Sequence, residues 1–257
     1  MKQTRFYRNW VASDLINFTV VDNETDISIS AERNLENETK KLVRRYRKDI
    51  VDYIKRNPGF ETSLKPLPGD DNAPGIIKAM LKAGLLAGVG PMAAVAGAIS
   101  EFVGKGLLRF TSQVILENGG DIFIKTTQER KIGIYAGTSS LSKKIAIKIK
   151  PGVMCGVCTS SGTIGHSLSF GKADAVILVA QDTIIADAVA TATCNRVKNE
   201  ADIEAALNFA KNIEGVIGAM VIYREKIGSI GDIELILPSP EPSPQRGEGR
   251  VRGKKSG

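Results

Sequence analysis

The sequence predicts an α+β fold in which an antiparallel or mixed sheet packs against helices. Two observations support this prediction: strand-like and helical segments come in blocks, and the chain shows no strict alternation of strand and helix. Strict alternation would favour a parallel sheet of the Rossmann type. The 257 residues include 42% hydrophobic and 25% charged residues, which is typical of a globular protein.

The N-terminal part predicts a β-hairpin and a long helix. The hairpin is "INFTVVDNETDISIS", where two strand-like runs flank an Asp-Asn-Glu turn. The helix begins at about Glu32 and ends before Asn57-Pro58-Gly59, and its apolar residues recur at three-and-four spacing. Leu64 to Gly75 is predicted to be a loop.

An uncharged run from Ala83 to Ser100 reaches the minimum length of a membrane span. The run is rich in Ala and Gly, is interrupted by "GVGP", and is bounded by Lys82 and Glu101. We therefore expect two packed helices, the second starting at Pro91, and no membrane partner.

The second half of the chain predicts most of the sheet. The strand-like runs are "VILENGGDIFIK", "KIGIYAG", "KIAIKIK", "GVCTS" and "AVILVAQ". Two helices, about Thr183 to Val197 and Ala201 to Ile213, precede a final strand pair formed by "GVIGAMVIYRE" and "GDIELIL". Residues 1–237 are interpreted as one domain.

Part of the net charge of +7 lies in the tail, Pro238 to Gly257, which carries five basic and two acidic residues. This Pro, Gly and Ser-rich tail is predicted to be disordered. A basic block, Lys40 to Lys48, is interpreted as a solvated helix face, with nucleic acid or phosphate contact as the alternative. Few aromatic residues lie near it, so a nucleic acid partner is not expected. No export signal is apparent, and a cytoplasmic protein, as a symmetric homodimer, is the expectation.

Asp187 and Thr191 are candidate metal ligands, because residues four apart on a helix share a face. A carboxylate and a hydroxyl suit Mg²⁺, which keeps several waters when phosphates supply its other ligands. The alternative is an aspartate that caps or pairs on a partly exposed helix.

A turn at "ENGGDI" supplies a second group of candidates. Asn-Gly-Gly between apolar runs is a strong turn signal, which by itself explains Gly119 and Gly120. Paired glycines also let the backbone approach a flat ring or a phosphate. Asn118 and Asp121 are then candidate ligands beside that approach.

The stretch "TSSGTIGHSLSFGKAD" contains the only histidine of the chain, His166. Small polar residues flank it, so His166 either packs or lines a site. The stretch lacks the Gly-Lys-Ser/Thr of a Walker loop. Backbone amides and hydroxyls here are nevertheless suited to a phosphate, and a serine-rich turn is the alternative; the candidates are Ser160, Ser161, Gly162, Thr163, Gly165 and Ser167.

Cys155 and Cys158 form a C-x-x-C, and Cys194 with His166 would complete a Cys₃His zinc set. On a strand, however, positions i and i+3 point to opposite faces, which disfavours shared ligation. A thioredoxin-like motif would require a helix start. Reduced thiols are the favoured interpretation.

Five segments, in order, resemble a prokaryotic family related to ApbE, the Mg²⁺-dependent FAD:protein FMN transferases: "GPMAAVAGAISE", "ENGGDIFI", "GIYAG", "GVCTSSGTIGHSLSFGKADAV" and "ADAVATATCNRV". The resemblance implies an ApbE-like fold and a site for Mg²⁺ with FAD or FMN. It places that site at Gly97 to Glu101, Asn118 to Asp121, Ser161 to His166 and Ala186 to Ala192. It also implies that Asp187 and Thr191 hold the metal and that His166 deprotonates an acceptor hydroxyl, with AMP leaving.

Three features depart from ApbE: Glu101 stands where ApbE has a lysine, the Asp-Pro-x-Thr-Gly loop after the histidine is missing, and no lipoprotein cysteine is present. A flavin transferase or FAD pyrophosphatase acting with a protein acceptor is therefore one hypothesis. A non-catalytic flavin- or nucleotide-binding protein is the second. Archaeal relatives suggest a third, sulfur assimilation into homocysteine, with Cys155, Cys158 or Cys194 carrying sulfur.

Overall fold

The computed structural model describes residues 14–137, 139, 142, 144–162 and 170–236. The predicted tail lies outside these residues. The α-helices among them are α1 (Glu36–Arg56), α2 (Gly59–Thr62), α3 (Gly75–Ala87), α4 (Val95–Leu107), α5 (Thr183–Arg196) and α6 (Ile203–Lys211). The strands are β1 (Ile16–Asp22), β2 (Thr25–Ala31), β3 (Val114–Asn118), β4 (Asp121–Lys125), β5 (Arg130–Gly133), β6 (Ala146–Ile149), β7 (Met154–Ser160), β8 (Ala175–Ala180), β9 (Val216–Tyr223), β10 (Lys226–Gly231) and β11 (Glu234–Ile236).

The strands form two antiparallel sheets. Eight strands pair in the order β1-β2-β3-β4-β7-β8-β9-β10, and three pair in the order β11-β6-β5. Every pairing among the described strands is antiparallel. The α+β prediction is therefore confirmed.

The large sheet is covered on both faces. One face packs against the helices, and the other packs against β5 and β6 of the small sheet. In β8, Val176 and Leu178 belong to the helix-side core, whereas Ile177 and Val179 belong to the core between the sheets. All six residues of β8 are buried, which explains its continuous apolar sequence.

Helix α5 lies at the centre of the helical layer. Ten of its fourteen residues are buried, including small residues on several sides of the helix. A helix surrounded by other elements needs no polar stripe, so its sequence shows little amphipathic pattern. This central position lets side chains of α5 reach α4, β7 and the cavities described below.

The first hairpin forms as predicted, with Asp22 paired to Thr25 across a two-residue turn. Helix α1 begins at Glu36 and not at Glu32. The Glu32 carboxylate contacts the segment that precedes β3. Its oxygens accept hydrogen bonds from Thr111 Oγ1, Ser112 N and Ser112 Oγ, each at 2.8 Å. These hydrogen bonds lower the pKa of Glu32 to about 2.

The prediction that "GVIGAMVIYRE" pairs with "GDIELIL" is wrong. Strand β9 pairs with β10 through a tight turn in which Arg224 has a φ of 55°. The segment "GDIELIL" instead contributes β11, which pairs with β6 in the small sheet. Strand β10, "KIGSIG", contains glycines and no buried residue, so its sequence carries a weak strand signal.

The apolar run near Pro91 forms two helices, as expected, with a short 3₁₀ helix at Pro91–Ala94 between them. Among the described residues, no single helix is long and apolar enough to cross a membrane, although Gly75–Ala87 and Pro91–Leu107, bent by 106°, together pass a test of length and composition. Many of their apolar residues, such as Ile77, Met80, Ala98 and Val103, are buried in the helix-side core.

Candidate functional site

Asp187 and Thr191 lie one turn apart on α5, whose N-terminus is capped by Asp182 through a hydrogen bond from Ile185 N at 2.7 Å. Both residues line one cavity of about 320 Å³, together with Asn195 from the next turn. The only charged side chains among its described lining residues are the carboxylates of Glu61 and Asp187. A cavity whose described lining offers acidic and hydroxyl oxygens but no lysine or arginine suits a cation.

Asp187 also has a structural contact. Its Oδ2 accepts a hydrogen bond from Gly97 N at 2.8 Å, in the first turn of α4. Helix α4 has no side-chain cap from its own N-cap residue, Ala94, so the carboxylate of α5 takes that role. The capping alternative considered for Asp187 is thus part of its environment. Burial, with the charge of Asp121, raises the pKa of Asp187 well above its ordinary value.

Gly97 allows this contact because α4 and α5 approach closely at that point. A Cβ atom on Gly97 would lie 2.3 Å from Thr183 O and 2.7 Å from Asp187 Cβ. Any larger residue would push the two helices apart. The position of Asp187 therefore depends on a glycine one helix away.

The Asn118 to Asp121 turn lies beside the same end of α4. Asn118 Nδ2 donates to Ala96 O at 3.2 Å, and Ser100 Oγ donates to the carbonyl oxygen of Asp121 at 3.0 Å. Gly119 and Gly120 have φ values of 69° and 110°, which favour glycine. The fold thus brings the two predicted motifs together, although only Asp187 and Thr191 line the cavity itself.

Asp121 faces the helices from β4, directly opposite Cys158 of β7. Burial raises the pKa of Asp121 to about 7; a hydrogen bond from Cys158 lowers it, and the charge of Glu117 raises it. The Asp121 carboxyl is buried, and its charge also raises the pKa of Asp187. Simultaneous ionisation of two neighbouring acids is unfavourable in a poorly solvated environment. A bound cation would reduce the repulsion between the two negative charges.

The cysteines lie in two different cores. Cys155 belongs to the core between the sheets, and Cys158 belongs to the helix-side core, as their spacing on a strand requires. Burial raises the pKa of Cys155 to about 12 and raises the pKa of Cys158 well above its ordinary value. Within the described part of the chain, no group of three His, Cys, Asp or Glu side chains could hold a metal ion.

Part of the predicted phosphate segment lies outside the described residues: Thr163, Gly165, His166 and Ser167. Of the rest, Ser160 is buried at the end of β7, and its Oγ has no hydrogen-bond partner among the described residues. Gly162 N donates to Ala173 O at 3.0 Å, so this amide is already used within the fold. Ser161 directly precedes it. Ser160, Ser161 and Gly162 are not among the described residues that line the cavity.

A family model described as AbpE bacteria matches residues 8–235. The chain belongs to this family. UPF0280 proteins are relatives: that of Methanococcus aeolicus is 42% identical over 85% of this chain and 91% of the relative, and that of Methanocaldococcus jannaschii is 39% identical over the same shares. The resemblance noted from the sequence is thereby confirmed.

Solved structures share the fold of this AbpE bacteria family member. Flavin Transferase ApbE from Vibrio cholerae superposes with a TM-score of 0.50 and 13% identity, covering 86% of this chain and 97% of that chain. The ApbE protein from Thermotoga maritima gives a TM-score of 0.51 and 12% identity, covering 83% and 96%. At these identities the likeness establishes the fold.

Asn195 and Phe170 are among the cavity residues that were not singled out from the sequence. Asn195 is four residues beyond Thr191, so the helical spacing that relates Asp187 to Thr191 also contained this signal. Phe170 also lines the cavity, and its N donates to Asn195 Oδ1 at 2.7 Å. That contact joins residues far apart in sequence, so no local pattern could have predicted it.

Glu101, which departs from the ApbE pattern, lies outside the cavity in this family member. Its buried carboxylate accepts hydrogen bonds from Thr183 N at 2.8 Å and Thr183 Oγ1 at 2.7 Å, and it pairs with Lys105 at 2.8 Å. A carboxylate at the N-terminus of α5 interacts favourably with the helix dipole. The local structure therefore explains the glutamate without a ligand.

Proposed function

We propose that the protein binds a flavin or another diphosphate ligand together with Mg²⁺ in the cavity beside α5. The observation that carries the proposal is the pair Asp187 and Thr191, one helical turn apart and lining one cavity with no basic side chain among its described residues. The fold shared with proteins named flavin transferases supports the choice of a flavin.

The residues present fit Mg²⁺. Asp187 and Thr191 would hold the ion through hard oxygens, and Mg²⁺ commonly takes one or two protein ligands beside phosphate oxygens and waters. Bound Mg²⁺ would supply neutralisation of charge on the diphosphate. The contact with Gly97 holds the Asp187 carboxylate in place, so the metal-binding side chain is oriented before a ligand arrives.

The reaction proposed is attack of an acceptor hydroxyl, as on a protein side chain, on the FMN phosphorus of FAD. A bond from that hydroxyl oxygen to phosphorus forms, the bond from phosphorus to the AMP oxygen breaks, and AMP leaves. His166 would take the proton of the hydroxyl, a role that rests on the family resemblance, since an imidazole titrates near neutral pH. With water as acceptor, the same step gives FMN and AMP.

A test compares the wild-type protein with Asp187→Asn. Asparagine keeps an oxygen that can accept from Gly97 N but removes the carboxylate that holds the metal. We expect AMP release from FAD and Mg²⁺ to fall at least about a hundredfold, as for loss of an electrostatic contact in a transition state. Chromatography of AMP and FMN measures it.

The matched control is Asp182→Asn, on the same helix and with the same change of charge. Asparagine is an equally good N-cap, so this variant should keep its turnover. Equal turnover in the wild-type protein and Asp187→Asn would remove the metal assignment. Loss of turnover in both variants would assign the effect to α5 as a whole.

A non-catalytic ligand-binding protein is the second candidate. It is favoured by the absence of lysine and arginine among the described lining residues of the cavity, since a cationic side chain often stabilises a transferring phosphoryl group. Mass spectrometry of the gently purified protein distinguishes the two. Bound flavin without AMP release supports the binding protein. The sulfur-carrier hypothesis is less favoured for Cys155 and Cys158, because buried thiols with raised pKa values stay protonated.

A further inference from the structure

A second opening, here called the basic groove, lies between α1, α3 and α4, beside the start of α5. Its volume is about 880 Å³, and it shares no lining residue with the cavity that contains Asp187. Five cationic side chains line it: Lys41, Arg45, Lys82, Lys105 and Arg109. Volumes of this size are typical of small-molecule sites.

The cations of the block Lys40 to Lys48 on α1 fall into two classes. Those on one side are neutralised: Lys40 pairs with Glu36 at 2.5 Å, and Arg44 pairs with Asp22 at 2.8 Å. Lys41 and Arg45, four residues apart and facing the groove, have no carboxylate partner among the described residues. The positive charge of the block Lys40 to Lys48 is therefore in surplus only towards the groove.

Lys82 of α3 and Arg109 after α4 complete the surplus, and they too have no carboxylate partner within the described ranges. Lys105 differs, because it pairs with Glu101 at 2.8 Å. Four unpaired cations from three segments thus converge on one opening. Such an arrangement attracts a compact polyanion.

Three carboxylates also line the groove, and two of them have partners in the fold. Glu101 is bound to Thr183 and Lys105, and Asp182 caps α5. Glu38, on the same side of α1 as Lys41, is the third. The cations therefore outnumber the acids, and the acids at the start of α5 are already engaged.

The floor of the groove is apolar, with Leu42, Ala79, Ala83 and Ile184 among its lining residues. The nearby rings of Tyr46 and Phe102 pack edge to face, with centroids 5.2 Å apart, and Arg45 lies over Tyr46. These two rings offer little free surface on which successive bases could stack. The positive charge ends where the paired side of α1 begins, so it forms no track for a polymer.

We propose that the basic groove binds a small organic polyphosphate of the nucleoside triphosphate class. The phosphates contact the unpaired cations, Lys41, Arg45, Lys82 and Arg109, and the organic part packs on the apolar floor. This proposal is independent of the proposed function, because the two openings have no residue in common.

The test measures ATP binding by isothermal titration calorimetry at about 0.15 M ionic strength, with EDTA to exclude binding that needs Mg²⁺. One variant is Lys41→Gln/Arg45→Gln/Arg109→Gln, in the groove. Its matched control is Lys40→Gln/Arg44→Gln/Lys48→Gln, which removes the same number of positive charges from the paired side of α1. Urea unfolding checks that both variants fold.

We expect ATP affinity to fall at least about tenfold in the groove variant and to change less than about twofold in the control. Asp187→Asn should retain the wild-type affinity. Equal weakening in groove and control variants would identify non-specific attraction and overturn the proposal. Loss of ATP affinity in Asp187→Asn would assign the binding to the cavity that contains Asp187 and would overturn the proposal. Absence of ATP binding by the wild-type protein would overturn it as well.

Two further probes test the ligand class. Inorganic tripolyphosphate should bind more weakly than ATP, because it lacks a part that packs on the floor; equal affinity would contradict the role of the floor. A single-stranded thymidine oligonucleotide should not displace ATP at equal phosphate concentration. If the oligonucleotide displaces ATP, and if the groove variant and the control variant both bind the oligonucleotide more weakly to the same extent, the surface binds nucleic acid instead.

Discussion

The cavity and the basic groove lie at opposite ends of α4, and their charges have opposite signs. The charged residues of the cavity are acidic, and Asp187 among them caps the start of α4. The groove contains Lys105 and Arg109 at the other end of α4. Negative charge stabilises the N-terminus of a helix and positive charge stabilises its C-terminus, so each group of charges stabilises the end of α4 that it faces. Part of the charge in both places is thus explained by the helix, and only the surplus indicates a ligand.

The largest expected effect tests the contact on which the cavity depends. Gly97→Ala would place a Cβ 2.3 Å from Thr183 O, so we expect the free energy of unfolding to fall by about 3 kcal/mol. Gly75→Ala is the control, since its nearest neighbour would be Phe102 Cε1 at 3.7 Å. The control should be unchanged or more stable by up to about 1 kcal/mol. Urea unfolding measures both, and equal stabilities would contradict the close approach of α4 and α5.

The next prediction concerns Glu101, a buried carboxylate that lines the groove at the start of α5. Glu101→Gln removes a buried carboxylate that accepts two hydrogen bonds from Thr183, and should cost about 2 kcal/mol. Lys105→Gln should cost less than about 1 kcal/mol, because half of the lysine side chain is exposed. Thermal and urea unfolding give both values. A lysine variant as destabilised as the glutamate variant would mean that the ion pair, and not α5, holds Glu101.

Glu32 provides a reference carboxylate whose donors are all known. Its pKa is lowered from 4.5 to about 2, mainly by the hydrogen bonds from Ser112. A lowered pKa gives stability that is complete above pH 4.5 and is lost as the pH falls through about 2. Glu32→Gln should therefore cost about 1 kcal/mol at neutral pH, allowing for solvent screening. Urea unfolding of both proteins from pH 7 to 2 measures this. The difference in the free energy of unfolding between the wild type and Glu32→Gln should shrink as the pH falls, and a difference that does not change with pH would contradict the lowered pKa of Glu32.

The smallest effect separates surplus from paired cations. Lys41→Gln/Arg45→Gln should change the free energy of unfolding by less than about 0.5 kcal/mol, since neither side chain has a carboxylate partner in the described chain. Arg47→Gln loses hydrogen bonds to Thr25 and Glu24 and should cost up to about 1 kcal/mol. Differential scanning calorimetry resolves the order. If Lys41→Gln/Arg45→Gln lowers the free energy of unfolding more than Arg47→Gln does, Lys41 and Arg45 have a structural role.

Local sequence patterns predicted most of the fold. The first hairpin, α1, α5 and the strands up to β8 follow from apolar periodicity and turn residues, which act over a few positions. Strand β10 escaped prediction, because its glycines weaken the pattern and because Arg224 adopts a left-handed conformation. The separate small sheet depends on contacts between distant segments, which no local pattern records.

The same limit applies to the site. The spacing of Asp187 and Thr191 predicted two residues that share a cavity, because helical geometry fixes that relation. The contact of Asp187 with Gly97 and the entry of Phe170 into the cavity link residues far apart in the chain. The basic block on α1 was visible in the sequence, and so was the four-residue spacing of Glu36 and Lys40. Its division into paired and unpaired sides also required the position of Asp22, which lies on the first hairpin and pairs with Arg44.

The order of the large sheet has a kinetic consequence. Strands β3 and β4, and β9 and β10, are joined by two-residue turns, so these pairs have low contact order and should form early. Strand β2, in contrast, pairs with β3 through Ala31 and Val114, with α1 to α4 between them in the chain. Closing so long a segment carries an entropic cost. We therefore expect that pairing of the N-terminal hairpin with β3 limits the rate of folding, because this step closes the long segment that contains α1 to α4.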